Sequence, residues 1–572
     1  MATHQKRRRR RRGRQSLLVA VIVIVLIVII VAATFITRGR RASGSSADFA
    51  DFYGLTSEDA VMINYDNEVL DDTALYIDGE VYIPYTVFHS YLNPRFYWDG
   101  TEDILRYTLP EGILNTTVDT ADYTIGKDSY TAEYPIVLVQ GDEMYLSLSF
   151  LEQYTDIRSD FYEDPNRVVI SDEWGDEDYT DMKRSSSVRE LGGTQSDILT
   201  SVAKGEPVTV LEEMDTWTKI CTEDGFVGYV KNNTLGDPET LVFTSDYVEP
   251  VFDHHLKDYK ICMVWHQATN QDANDMLSDM LESAKGINVI SPTWFYLNDN
   301  EGGIASLASS DYVSYCHENG MEVWALISNF ENPDVDSTAV LNTTSTRDTL
   351  INNLMSEALK YDLDGINVDF ESLEGEAGTG FLQFIRELSL KCEANDIVLS
   401  VDNYPPESYN SFYSRQEQAV FADYIVLMAY DEHYSGSDEG SVASIGFVRQ
   451  SVADTLEEVP SDQLILGIPF YTRLWRLTPD AEGYTVSSEA LGMSDAESRV
   501  TENGASFVWS DDVGQYYGEY ELDGDTYEVW LEDQASIEMK LGVMEENNLA
   551  GVAFWKLGYE KSTIWETIVK YV

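Results

Sequence analysis

Asp364-Gly365-Ile366-Asn367-Val368-Asp369-Phe370-Glu371 is the stretch whose reading decides the fold. Its apolar run, entered through a glycine, predicts a strand over 365–370. Side chains alternate along a strand, so Asn367, Asp369 and Glu371 share one face. Three polar residues on an inward face cost free energy unless they are satisfied or used. Working outward, strand-like apolar runs recur at 261–265, 287–295, 322–328, 397–401, 424–429, 464–469 and 551–555. Most are separated by helix-length segments such as 349–361 and 380–395. Eight strands with intervening helices predict an α/β fold, a (β/α)8 TIM barrel over 250–572. The long gap at 476–548 predicts a small inserted α+β element. Chemistry in such a barrel sits at the carboxyl ends of strands, which places Asp369 and Glu371 at the mouth. A satisfied polar layer plugging the barrel is the alternative for these three residues.

The chain upstream changes style twice. Glu80-Val81-Tyr82-Ile83-Pro84 and Glu143-Met144-Tyr145-Leu146-Ser147 match at an offset of 63, as do Leu105-Arg106-Tyr107 and Val168-Val169-Ile170. This predicts a duplicated α+β stalk-like domain over 61–175. It resembles the copper amine oxidase N-terminal domain, although no copper ligands are visible; His89 stands alone there. Residues 183–238 read as a small all-β barrel. The Trp217-x-Lys219 and Gly228-Tyr229-Val230 spacing resembles a bacterial Src-homology-3-like domain, which implies either a binder of wall peptides or a spacer.

Of 572 residues, 38 are Lys or Arg and 100 are Asp or Glu, a net charge of −62. Such a surface repels nucleic acid and suits solubility. Eight of the basic residues form a tail over 1–16, followed by an uncharged apolar stretch. At ~1.5 Å per residue that stretch spans a bilayer. It predicts a transmembrane helix over 17–37 with a cytoplasmic amino terminus, by the positive-inside bias. A cleavable signal peptide is the rival. Residues 38–60 read as a linker. The expected location is therefore the cell membrane, single-pass, with the barrel outside. Cys221, Cys262, Cys316 and Cys392 fit no metal spacing and read as small buried residues. The seven histidines form no ligand cluster, so neither metal nor organic cofactor is expected.

Residues 364–371 match the D-x-x-D-x-D-x-E pattern of glycoside hydrolase family 18, except that Asn367 replaces the second Asp. The barrel resembles most the spore cortex-lytic, peptidoglycan-directed subgroup. Ser291-Pro292-Thr293-Trp294-Phe295, Met428-Ala429-Tyr430-Asp431, Gly467 to Arg473 and Ala553-Phe554-Trp555-Lys556-Leu557-Gly558 also fit, each where a strand should end. Breaking a glycosidic bond requires an acid for the leaving oxygen, and Glu371 is the candidate, with a raised pKa expected from desolvation and the nearby Asp369. The resemblance implies that the substrate's N-acetyl group is the nucleophile and that Asp369 orients it. It further implies that Tyr430 binds the acetyl oxygen and that Trp555 floors the sugar. Asn367, Met428, Asp431 and Arg473 are assigned to substrate binding. Trp294, Trp324 and Trp475 are either sugar-stacking walls or core residues. Asp364 reads as structural support. The expected partner is an N-acetylglucosamine polysaccharide, peptidoglycan or chitin-like, acted on by a monomer. A chitinase, a glycan endoglycosidase, a non-catalytic lectin-like barrel and a scaffold or adhesin are the other readings.

Overall fold

The computed structural model describes residues 42–481 and 483–572. They form two compact units, one made of residues up to 94, 118–122 and 131–249, the other of 95–117, 123–130 and 250–572.

In the second unit eight parallel strands close on themselves. We label them β1 (Ile261–His266), β2 (Val289–Pro292), β3 (Glu322–Ser328), β4 (Gly365–Asp369), β5 (Val398–Asn403), β6 (Tyr424–Met428), β7 (Leu464–Pro469) and β8 (Gly551–Trp555). Each pairs with the next, and β8 pairs with both β7 and β1. Nearly every strand residue is buried, as expected for parallel strands covered on both faces. Inward positions (Met263, Trp265, Trp324, Leu326, Tyr424, Val426, Ile465 and Ala553) form a core inside the barrel. Outward positions pack against the surrounding helices, including Thr344–Tyr361 and Gly378–Glu393. Gly365 opens β4 because a Cβ there would sit 2.5 Å from the Trp324 ring. Strand β5 runs two residues past its predicted end and β4 stops one residue short.

Between β7 and β8 lies a five-stranded antiparallel sheet of Tyr471–Pro479, Tyr484–Gly492, Val508–Ser510, Gln515–Leu522 and Asp525–Leu531, with the helix Met493–Glu502. It fills the predicted insertion.

The first unit holds two seven-stranded sheets. In one, the two matched copies pair with each other: Glu80–Pro84 runs antiparallel to Glu143–Ser147, and the Glu80 carboxylate accepts from Ser147 Oγ at 2.7 Å. The other, over 175–243, includes the strand Trp217–Thr222 between Pro207–Glu213 and Val227–Lys231. The duplication does not stay in one unit. Leu105-Arg106-Tyr107 belongs to the barrel unit, where Arg106 pairs with Asp348 at 2.7 Å and Glu387 at 3.1 Å. All four cysteines are buried free thiols.

The single-pass membrane location is corrected here. Among the described residues no helix is long and apolar enough to cross a membrane. The 17–37 stretch on which that expectation rested lies outside the described residues, as does the 1–16 tail.

Candidate active site

The carboxyl ends of the barrel strands surround a cavity of about 560 Å³. Its wall includes Asp369 from β4, Glu371 just beyond it, Asp402 from β5, Met428 and Tyr430 at the end of β6, and Trp555 at the end of β8. Strand alternation puts Asn367 one layer below, fully buried. There its amide is saturated: Oδ1 accepts from Trp265 Nε1 (3.0 Å) and Ser291 Oγ (3.1 Å), while Nδ2 donates to Ser400 Oγ (3.0 Å) and Asp402 Oδ1 (2.7 Å). Asn367 therefore supports the floor, one layer beneath the position expected of a substrate-binding residue.

Glu371 is held by its backbone and tuned by its surroundings. Its N–H donates to Asn329 Oδ1 (2.8 Å) and its carbonyl accepts from Asn329 Nδ2 (3.0 Å). The Tyr404 hydroxyl donates to its carboxylate. Burial pushes the Glu371 carboxyl up, the Tyr404 bond pulls against that, and the charges of Asp431 and Glu331 push the same way as burial. Asp369 is raised well above the usual carboxylate range by burial first, then by Asp402, Glu371 and Glu331. Asp402 is raised by burial, against the Asn367 hydrogen bond. Tyr430 is kept a neutral phenol by burial and by the acids around it. Asp431 lines the cavity and accepts from Tyr471 Oη at 2.5 Å. A wall with a carboxyl whose pKa is raised, neighbouring carboxyl oxygens and neutral phenol donors is equipped to move a proton and to stabilise a developing positive charge.

Four of the expected binding residues are elsewhere. Trp324 lies near the amino end of β3, stacked on Tyr424 and donating to Glu322 at 2.9 Å, at the closed end of the barrel. Trp294 is buried against Tyr312 and donates to Asn274 at 2.8 Å. Trp475 is buried and donates to the Gly440 carbonyl at 2.8 Å; Arg473, on the same insertion strand, donates to Ser488 Oγ at 3.3 Å. None of the four lines the cavity, and in the first three each buried indole N–H has found an internal acceptor. Asp364 accepts from the Val323 N–H at 2.8 Å, tying the entry of β4 to β3.

Asp402, Tyr404, Glu331, Trp265 and Tyr471 line the cavity without having been singled out. A signal existed for two: Ser400, Asp402 and Tyr404 fall on one face once β5 is extended by the polar residues that follow its apolar run. Among the described residues no cluster of His, Cys, Asp and Glu has the arrangement to hold a metal.

Residues 298–560 match the Glycosyl hydrolases family 18, residues 185–236 the Bacterial SH3 domain and residues 62–170 the Copper amine oxidase N-terminal domain. The cortical fragment-lytic enzyme of Bacillus subtilis is 27% identical over 250 residues, 42% of this chain and 58% of that protein. Another Bacillus subtilis protein, 30% identical over 226 residues, is matched over 52% of its length. The chain thus spans little more than half of these relatives. The crystal structure of the Bacillus cereus spore cortex-lytic enzyme shares the fold, with a TM-score of 0.50 at 19% identity, over 58% of this chain and 78% of that one.

Proposed function

We propose that this chain, whose barrel carries a family 18 glycosyl hydrolase domain, hydrolyses β-linked N-acetylglucosamine bonds of peptidoglycan or a related polymer by a substrate-assisted, retaining route. The observation that carries the proposal is the placement of Glu371 at the mouth of the barrel, where burial raises its carboxyl, with Asp369, Tyr430 and Trp555 in the same wall. Glu371 donates its proton to the glycosidic oxygen as the bond to C1 breaks. The acetamide oxygen of the same sugar closes on C1, with Asp369 accepting from the acetamide N–H and Tyr430 donating to its oxygen. Asp369 balances the positive charge of the resulting oxazolinium ion. Water then attacks C1, giving its proton back to Glu371. Trp555 supplies an apolar floor for the sugar face.

The relative named for lysis of cortical fragments favours a wall polymer. A chitin-like glycan is the second reading: among the described residues the cavity wall holds five carboxyl groups and no lysine or arginine, which suits an uncharged polymer. The test is release of reducing ends from peptidoglycan and from chitin oligomers by wild type and Glu371→Gln. The variant should lose ~10²–10⁴-fold in kcat. Equal activity of the two proteins removes Glu371 from the chemistry. Binding of oligomers by wild type without turnover leaves a sugar-binding barrel.

A further inference from the structure

Asp402 is the acid whose position the octapeptide does not reveal. The β4–β5 register sets Asn367 opposite Ser400 and Val368 opposite Val401, so Asp369 and Asp402 come next, side by side and both facing inward. Each carries one buried oxygen, Oδ1 of Asp369 and Oδ2 of Asp402, that meets no hydrogen-bond partner among the described residues. The other oxygen of Asp402 is fixed by Asn367 Nδ2 at 2.7 Å. The titratable groups lining the same cavity are the acids Glu371, Glu331 and Asp431 and the phenols Tyr296, Tyr404, Tyr430 and Tyr471; among the described residues no basic side chain lines it to neutralise a second charge. Two neighbouring buried carboxylates disfavour each other's ionisation in such surroundings, and each offers an unpartnered oxygen that a shared proton would satisfy.

We propose that Asp402 is a positioning residue that shares a single proton with Asp369, doing from β5 what Asn367 cannot do from β4. This rests on the glycosidase reading. In the free enzyme the proton lies between the two carboxyls. When the acetamide N–H arrives, Asp369 turns its negative charge to it and Asp402 keeps the proton; on product release the shared state returns. No proton is gained or lost by the pair over the cycle, so the overall reaction remains addition of water across the glycosidic bond. Asn367 contributes by docking Asp402, and an amide does this without adding a third charge.

The proposal is tested on the full chain by carbon-13 NMR of aspartate carboxyls, with signals assigned from Asp369→Asn and Asp402→Asn. Asparagine at 402 keeps the bond from Asn367 and can donate to Asp369, but holds no titrating proton. In wild type the Asp369 and Asp402 signals should move together in two separated steps, the pair retaining one proton at neutral pH. In Asp402→Asn the Asp369 signal should titrate in one step, below the upper step of the pair. Independent titration, or two fully ionised carboxylates at neutral pH, overturns the proposal. With an aryl glycoside of the N-acetylglucosamine dimer, Asp402→Ala should lower kcat roughly 10²-fold with KM nearly unchanged, and Asp402→Asn should recover much of it. An unchanged kcat in Asp402→Ala also overturns it. If wild type turns over no glycoside, the glycosidase reading fails while the titration still decides whether the proton is shared.

Discussion

Glu387 and Asp369 are buried to nearly the same depth in the barrel unit, 1% and 5% exposed, and their carboxyls are driven in opposite directions. Burial pushes both up. At Glu387 that push is outweighed by Arg347, bonded at 3.0 and 3.2 Å, by Arg106 at 3.1 Å and by Gln383 at 2.9 Å, so the carboxyl stays below its ordinary value. At Asp369 the described residues place no cation, and the neighbours are acids that push further up. The difference teaches that burial alone does not distinguish a structural acid from a reactive one. The absence of a counter-charge does, because only there is a proton both held and available.

The contrast breaks most visibly at Glu387. Replacing it with Gln leaves Arg347, which is fully buried, without its counter-charge, and should cost about 3–5 kcal/mol in the barrel's unfolding transition. Because Glu387 titrates below 4.5 when folded, its contribution is complete above that value and fades as pH falls through the folded pKa. Denaturant titrations of wild type and Glu387→Gln should therefore differ most near neutrality and converge in acid. A loss that is independent of pH would mean that shape, and not charge, holds the cluster. The folded variant should keep its kcat, since none of these residues lines the cavity.

Trp324 sharpens the same contrast within a single strand. It lies at the closed end of β3, whereas Ser328, at the other end, donates to the cavity residue Glu331. Trp324→Phe loses one buried hydrogen bond and part of the stack on Tyr424, and should cost about 1–2 kcal/mol with KM within about twofold of wild type. A large rise in KM on glycan oligomers would return Trp324 to the binding surface.

What was legible in the sequence follows from the range of the forces involved. The barrel showed through because parallel strands buried on both faces are continuous apolar runs, and β3, β7 and β8 fall where those runs do. Asp369 and Glu371 were legible through alternation along one strand. Asp402 and Tyr404 were less so: their alternation with Ser400 shows only when β5 is carried past its apolar run, and their meaning depends on the register between β4 and β5, a contact across the chain. The aromatic side chains misled for a related reason: Trp294, Trp324 and Trp475 stand beside the right motifs, but each indole N–H is directed to an internal acceptor that only the fold brings near. Arg106 shows the converse. Its place in a repeat pointed to the stalk, and its ion pairs place it in the barrel unit.

The smallest expected effect tests the sign of the contrast. The folded pKa of Asp369 lies above its ordinary value of 3.8, so between those two pH values the native state holds a proton that the unfolded chain releases. Stability contributed at this position therefore falls as pH rises through that window, the reverse of Glu387. Asp369→Asn removes the group and its slope. The variant should match wild type below about pH 4 and become more stable, by about 1 kcal/mol at neutral pH, while losing turnover, as expected where a strained acid is kept for function. Thermal midpoints of both proteins across that range give the comparison directly. If Asp369→Asn is instead the less stable protein at neutral pH, the charge on Asp369 is welcomed by its surroundings, and the difference between the two buried acids is one of degree and not of kind.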